Sequence, residues 1–132
     1  MKALILFLAL CQTVLICNAQ TQFEMNVDAS NKAQNADKKL DSIYQNIMKD
    51  YAADTVFIKN IKTSQSIWLQ FRDAEMEVKF PDALNRHYGS VFPMCWSMYR
   101  TDLTQERINT LQIWIDGIEE GDVCEGSVKR KK

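Results

Sequence analysis

The chain has 132 residues, a formal net charge of −1, one His, four Cys, four Gly and two Pro. That length holds one domain, and long stretches free of Gly and Pro argue for helices. A lone His leaves no paired-His metal motif, and no phosphate loop, dinucleotide glycine pattern, nucleophile elbow or zinc-deaminase signature occurs, so neither an enzyme class nor a cofactor is indicated.

Met1–Lys2 supplies a positive charge, Ala3 to Leu10 is unbroken and apolar, Thr13 to Cys17 nearly extends it, and Asn18-Ala19-Gln20 turns polar. This reads as a secretory signal peptide. The run is too short and interrupted for a permanent span, which needs about 20 apolar residues. Cys17 and Ala19 suit the two small pockets of a signal peptidase, placing the cut after Ala19 and making residues 1–19 the signal. The alternative makes Cys17 a lipidated N-terminus; Ile16 argues against it, because Gly, Ala or Ser normally precedes a lipoprotein cysteine. The mature domain is then periplasmic or secreted.

A first helix is expected from about Phe23 to Tyr51, where Ala29, Ala33, Ala36, Leu40, Ile43, Tyr44, Ile47, Met48 and Tyr51 recur at three- and four-residue spacing. Its alanines would let another helix approach closely. Asp54 is a fair N-cap for a second helix, with a stripe of Phe57, Ile61, Ser64, Trp68, Phe71 and Val78 and with Ile58, Leu69 and Met76 flanking. Pro81 stops it, and Asp82 to Ser90 forms a loop. A third helical region starts near Val91–Pro93, Thr101 to Thr104 interrupts it, and a last helix carries Ile108, Leu111, Trp114 and Ile115 up to the C-cap Gly117. No segment alternates in steps of two. The fold class is all-α, a small antiparallel bundle of three to four helices over residues 20–128.

Residues 129–132, Lys-Arg-Lys-Lys, form a basic tail expected to be disordered. Without it and Lys2, residues 20–128 carry 11 basic and 17 acidic side chains, a formal −6. An acidic body does not suit nucleic acid but suits a cationic partner, whose approach it accelerates. Glu119, Glu120 and Asp122 miss the calcium-loop pattern and read as a solvated turn.

After cleavage two cysteines remain. Cys95 and Cys124 are expected to form one disulfide closing the terminal hairpin, worth roughly 3–4 kcal/mol in the chain-entropy account. With His87 they match no zinc spacing. Trp68, Phe71 and Trp114 are assigned to the core. Arg72 lies one turn from Trp68, so its guanidinium can cover the indole. Asp73 points about 100° away from Arg72 and faces another neighbour. Arg107 shares a face with Leu103 and Leu111. Arg72, Asp73 and Arg107 are expected in inter-helix ion pairs or helix-terminus bonds.

The ordered set Ile61-Lys-x-Ser-Gln65-x-x-Trp68-x-x-Phe71-Arg72-Asp73-Ala-Glu75, Gly89-Ser90-x-x-Pro93-Met94 and Leu103-Thr104-x-x-Arg107-x-x-x-Leu111 resembles the LprI-type lysozyme-inhibitor family. Upstream, Glu24-Met25-Asn26 and Ala36-Asp37-x-x-Leu40-x-x-x-Tyr44 fit its opening helix, so the resemblance covers Gln22 to about Trp114. It implies an exported, non-enzymatic helical domain whose structural motif is Trp68, Arg72, Asp73, Thr104 and Arg107. It also implies a protein partner, a cationic lysozyme. The loop Asp82–Pro93 is the candidate for entering the lysozyme cleft, with Arg86, His87, Tyr88 and Ser90 donating hydrogen bonds to its two catalytic carboxylates. The rival function is a periplasmic or envelope-associated structural or adaptor module without inhibitory activity. The chain departs from the family where Asp28, Met76 and Tyr99 stand in place of cysteines; Cys95 and Cys124 take over that role from other positions.

Overall fold

The computed structural model describes residues 2–84, 87–119 and 123–131, with side chains from residue 21 onward. Three helices account for it: α1 (Lys2–Asp50), α2 (Thr55–Lys79) and α3 (Phe92–Asp116), followed by a 3₁₀ turn at Val123–Glu125. Among the described residues there is no strand, so the fold is all-α with three helices.

In α1 the steps between Ala29, Ala33, Ala36, Leu40, Ile43 and Ile47 alternate between four and three, which keeps all six on one face, and all six are buried. The chain then turns within Tyr51–Asp54, where Asp54 N donates to Tyr51 O at 2.9 Å. Asp54 Oδ1 in turn accepts from Phe57 N at 2.9 Å, occupying an amide that the first turn of α2 leaves open. Pro81 follows the end of α2.

Cross-links fix the directions. Asn26 Nδ2 donates to Ser90 O at 3.0 Å near the start of α3, and Lys129 N donates to the Tyr51 hydroxyl at 2.9 Å beyond its end. α1 and α3 therefore run parallel, with α2 antiparallel to both. The small side chains Ala29, Ala33 and Ala36 let the α3 backbone come close, since interhelical distance follows the side chains at the contact.

The main core lies where the α1–α2 turn meets the end of α3. Leu40, Ile43, Ile47, Tyr51, Phe57, Ile61, Ile108 and Leu111 fill it, with Trp68 and Trp114 packed half-buried at its edge. Tyr51 and Phe57 stack with centroids 4.3 Å apart.

Four expectations are corrected. First, α3 is one unbroken helix through Thr101–Thr104. Thr101 Oγ1 donates back to Ser97 O at 2.8 Å, and Thr104 is fully buried against α1, so neither breaks the turn. Second, Phe71 and Val78 are 52% and 76% exposed. Arg72 and Met76 take the inward positions on that half of α2.

Third, Cys95 and Cys124 are not bonded to each other. Cys95 sits in the first turn of α3, about 32 Å along the axis from Asp116. Cys124 belongs to a loop pinched shut where Ile118 pairs with Arg130, and six extended residues reach at most about 20 Å from that neck. A bond needs the two Cα atoms within about 7 Å.

Fourth, the basic tail is docked over residues 129–131. Ile118 N donates to Lys129 O at 3.0 Å and Lys131 N to Ile118 O at 2.7 Å. The Lys129 ammonium lies 4.1 Å from the Tyr51 ring centroid and also donates to Asp50 O. A Cβ on Gly117, where φ is 67°, would come within 2.8 Å of Lys129 O, so this approach requires glycine.

Candidate functional site

A polar layer crosses the middle of the bundle. Asp37 of α1 is its anion: Oδ2 accepts from Arg100 Nη2 at 2.6 Å, while Oδ1 accepts from Arg72 Nη1 and Thr104 Oγ1, both at 3.4 Å. Arg72 is 9% exposed, so its charge is deeply placed and depends on these partners. Asp73 does not point away from it. Arg72 Nε and Nη2 donate to Asp73 Oδ1 at 3.2 and 3.1 Å, because the long arginine side chain folds back onto its neighbour.

Trp68 is the apolar plate of this layer. The Arg72 and Arg107 guanidinium carbons stand 5.3 and 5.9 Å from its ring centroid. Arg107 holds α3 to α2 by donating to Gln65 Oε1 and Ser64 Oγ, each at 3.0 Å. Partial burial pulls the Arg107 pKa below its ordinary value, since desolvation disfavours the charged form. Trp68, Arg72, Asp73, Thr104 and Arg107 thus meet in one layer whose polar groups mostly bond within the bundle, while Arg100 Nε is buried without a hydrogen-bond partner. Nothing in it pairs a nucleophile with a base; it sets the register of three helices. Arg100, a principal partner of Asp37, carried no signal in the sequence.

The second feature caps the other end. Phe80 is the hub of an aromatic cluster, with ring centroids of Phe92, Trp96, Tyr88 and Tyr99 at 5.5, 5.6, 6.0 and 6.3 Å. Tyr88 stacks on Phe92 at 4.9 Å, and its hydroxyl donates to Pro81 O at 2.7 Å. The loop's two ends are thereby clamped, one through Pro81 and the other through the Asn26–Ser90 bond. The spacing of Phe92, Trp96 and Tyr99 could have revealed one aromatic face of α3; the convergence of Phe80 and Tyr88 on it is tertiary.

Of the loop residues singled out by sequence, Tyr88 spends its hydroxyl internally and Ser90 gives its carbonyl to Asn26. His87 is exposed, and Arg86 lies outside the described residues. Beside the loop an open groove of about 600 Å³ is lined by Phe92, Pro93, Trp96 and Leu84, with Glu77 and Asp82 on its edge. Tyr99 closes the cluster by donating to Glu75 Oε2 at 3.2 Å, with the Lys79 ammonium 5.0 Å from its ring centroid. Partial burial raises the Tyr99 pKa, and the Glu75 carboxylate raises it further by accepting the phenolic proton and repelling a phenolate. No group of three His, Cys, Asp or Glu able to hold a metal occurs among the described residues.

Comparison with known proteins agrees with this geometry. A solved DUF1311 family protein from Pseudomonas putida KT2440 has the same fold, with a TM-score of 0.57 at 18% identity over 67% of this chain and 88% of that one. No curated protein matches. The family model of the lysozyme inhibitor LprI matches residues 17–111, which include α2, the polar layer and the clamped loop. The chain belongs to the LprI lysozyme-inhibitor family.

Proposed function

We propose that this protein is exported and inhibits a cationic lysozyme by seating the 81–91 loop in the enzyme's cleft. The observation that carries the reading is the bracing of that loop. Its two ends, clamped through Tyr88 to Pro81 and through Asn26 to Ser90 and stacked on the Phe80 cluster, lose little conformational freedom on binding. Exposed His87 is its donor, together with Arg86. Residues 20–128 carry a formal −6, which the docked basic tail reduces to −2 over residues 20–132, and this acidic balance favours approach to a basic enzyme. Residues 1–19 act as the signal, removed after Ala19; the lipoprotein form through Cys17 is the lesser route. Among the described residues no helix is long and apolar enough to cross a membrane.

Replacing Arg86, His87 and Ser90 by Ala tests the loop. Inhibition of cell-wall clearing should be abolished while helical circular dichroism is unchanged. Undiminished inhibition by that variant would place the contact elsewhere. A second reading, an envelope-associated adaptor that inhibits nothing, is favoured by one fact: the motif residues Trp68, Arg72, Thr104 and Arg107 lie in the polar layer and leave no distinctive surface of their own.

A further inference from the structure

α2 is apolar on two sides. One side, Phe57, Ile61 and Met76, is buried within the bundle. The opposite side carries Val56, Ile67, Phe71 and Val78, which are 69%, 59%, 52% and 76% exposed. Asn60, Thr63 and Ala74 complete that stripe and are also exposed. The successive steps are 4, 3, 4, 4, 3 and 4 residues, so the seven positions run straight along one face of the helix. No charged residue falls on it. An exposed, uncharged and largely apolar stripe along nearly all of a 25-residue helix marks an interface.

We propose that this face pairs with the same face of a second copy, the two α2 helices antiparallel about a two-fold axis at Ile67. The pattern of steps is itself a palindrome centred on Ile67. In that arrangement Val56 meets Val78 of the second copy, Asn60 meets Ala74, Thr63 meets Phe71, and Ile67 meets itself, as an isologous interface demands. A shallow groove of about 570 Å³ along Asn60, Thr63, Ser64 and Ile67 gives the second copy's Phe71 its place beside the small Thr63.

Charge selects this occupant. One flank of the stripe carries Lys59 in the first half of α2 and Glu77 in the second half, both exposed. A two-fold axis perpendicular to the helices brings the same flank of both copies together with its direction reversed. Lys59 then approaches Glu77 of the second copy, and the pair is repeated across the axis. A parallel pairing sets this flank against the opposite one and forms no such pair, so the placement of Lys59 and Glu77 favours the antiparallel one. The C-terminal ends of the two α2 helices point in opposite directions, which leaves each 81–91 loop at an outer end of the dimer.

Sedimentation equilibrium of the purified protein over a roughly hundredfold concentration range reads the outcome directly. The mass should rise from one chain towards two. Ile67→Glu puts like charges on the axis and should weaken association at least about tenfold. Lys59→Glu should weaken it as well, and adding Glu77→Lys should restore it. The oxidised Ile67→Cys variant should give a dimer cross-linked between the two copies of position 67, and Val56→Cys should not self-link. A single-chain mass at every concentration overturns the proposal, as does a dimer indifferent to Ile67→Glu. If wild type and Ile67→Glu are both monomeric and only the variant loses lysozyme inhibition, the face belongs to the partner and self-association is overturned.

Discussion

Arg100 Nη2 and Asp37 Oδ2 are 2.6 Å apart, joining α3 to α1 at the level where Arg72 of α2 also reaches Asp37. One carboxylate thus serves three helices. Asp37→Asn keeps the shape and removes the charge, leaving two guanidinium groups facing a neutral amide. Asp37 and Arg100 are partly exposed and Arg72 keeps Asp73, which discounts the full cost of a buried orphan charge, and the expected loss is about 1–3 kcal/mol in urea unfolding. An unchanged midpoint would show that the layer contributes nothing to stability.

Trp68 lies under two guanidinium groups at the edge of the core. Trp68→Ala should cost about 2–4 kcal/mol, somewhat less than a fully enclosed tryptophan. Trp68→Phe should recover part of that, since a smaller ring still offers Arg72 a face. The measurement is the shift in denaturant midpoint at constant slope.

Tyr99 should ionise above the ordinary tyrosine value in a spectrophotometric titration. Its raised pKa means that folding favours the protonated phenol. That contribution is fully present below the ordinary tyrosine value of about 10 and is lost as pH rises through the raised value. Glu75→Gln removes the anion that opposes ionisation, so the Tyr99 transition should move down towards the ordinary value. If it does not move, the contact with Glu75 is unimportant.

Deleting Lys129–Lys132 strips the segment that pairs with Ile118 and covers Tyr51. Stability should fall by about 1 kcal/mol, roughly the net worth of a hydrogen bond or two. Lysozyme inhibition should stay the same or improve, because a basic tail opposes a basic enzyme.

The first two helices were legible because their signals are local. Leu40 to Tyr51 keep helical spacing, Asp54 is an N-cap with its acceptor in reach, and Pro81 and Gly117 end helices by backbone geometry. The sequence misled where an outcome depends on what another helix supplies. Thr101 to Thr104 looked like a break, yet Thr104 is tolerated inside because Asp37 accepts its proton. Phe71 and Val78 were read as inward since apolar spacing marks a face without saying which of two apolar faces turns in. Arg100 was invisible, because nothing near it in sequence hints at an aspartate 63 residues away. The disulfide failed for a similar reason: export and an even count of cysteines say nothing about a 25-residue helix standing between them.

The most direct test is a turbidity-clearing titration of a cationic lysozyme with the purified protein, run at low and at high salt. The account predicts dose-dependent inhibition at low salt with slower onset at high salt, since charges beyond about 8 Å are screened at physiological ionic strength. Lysozyme activity untouched at tens of micromolar protein, even at low salt, would contradict it and leave the adaptor reading in its place.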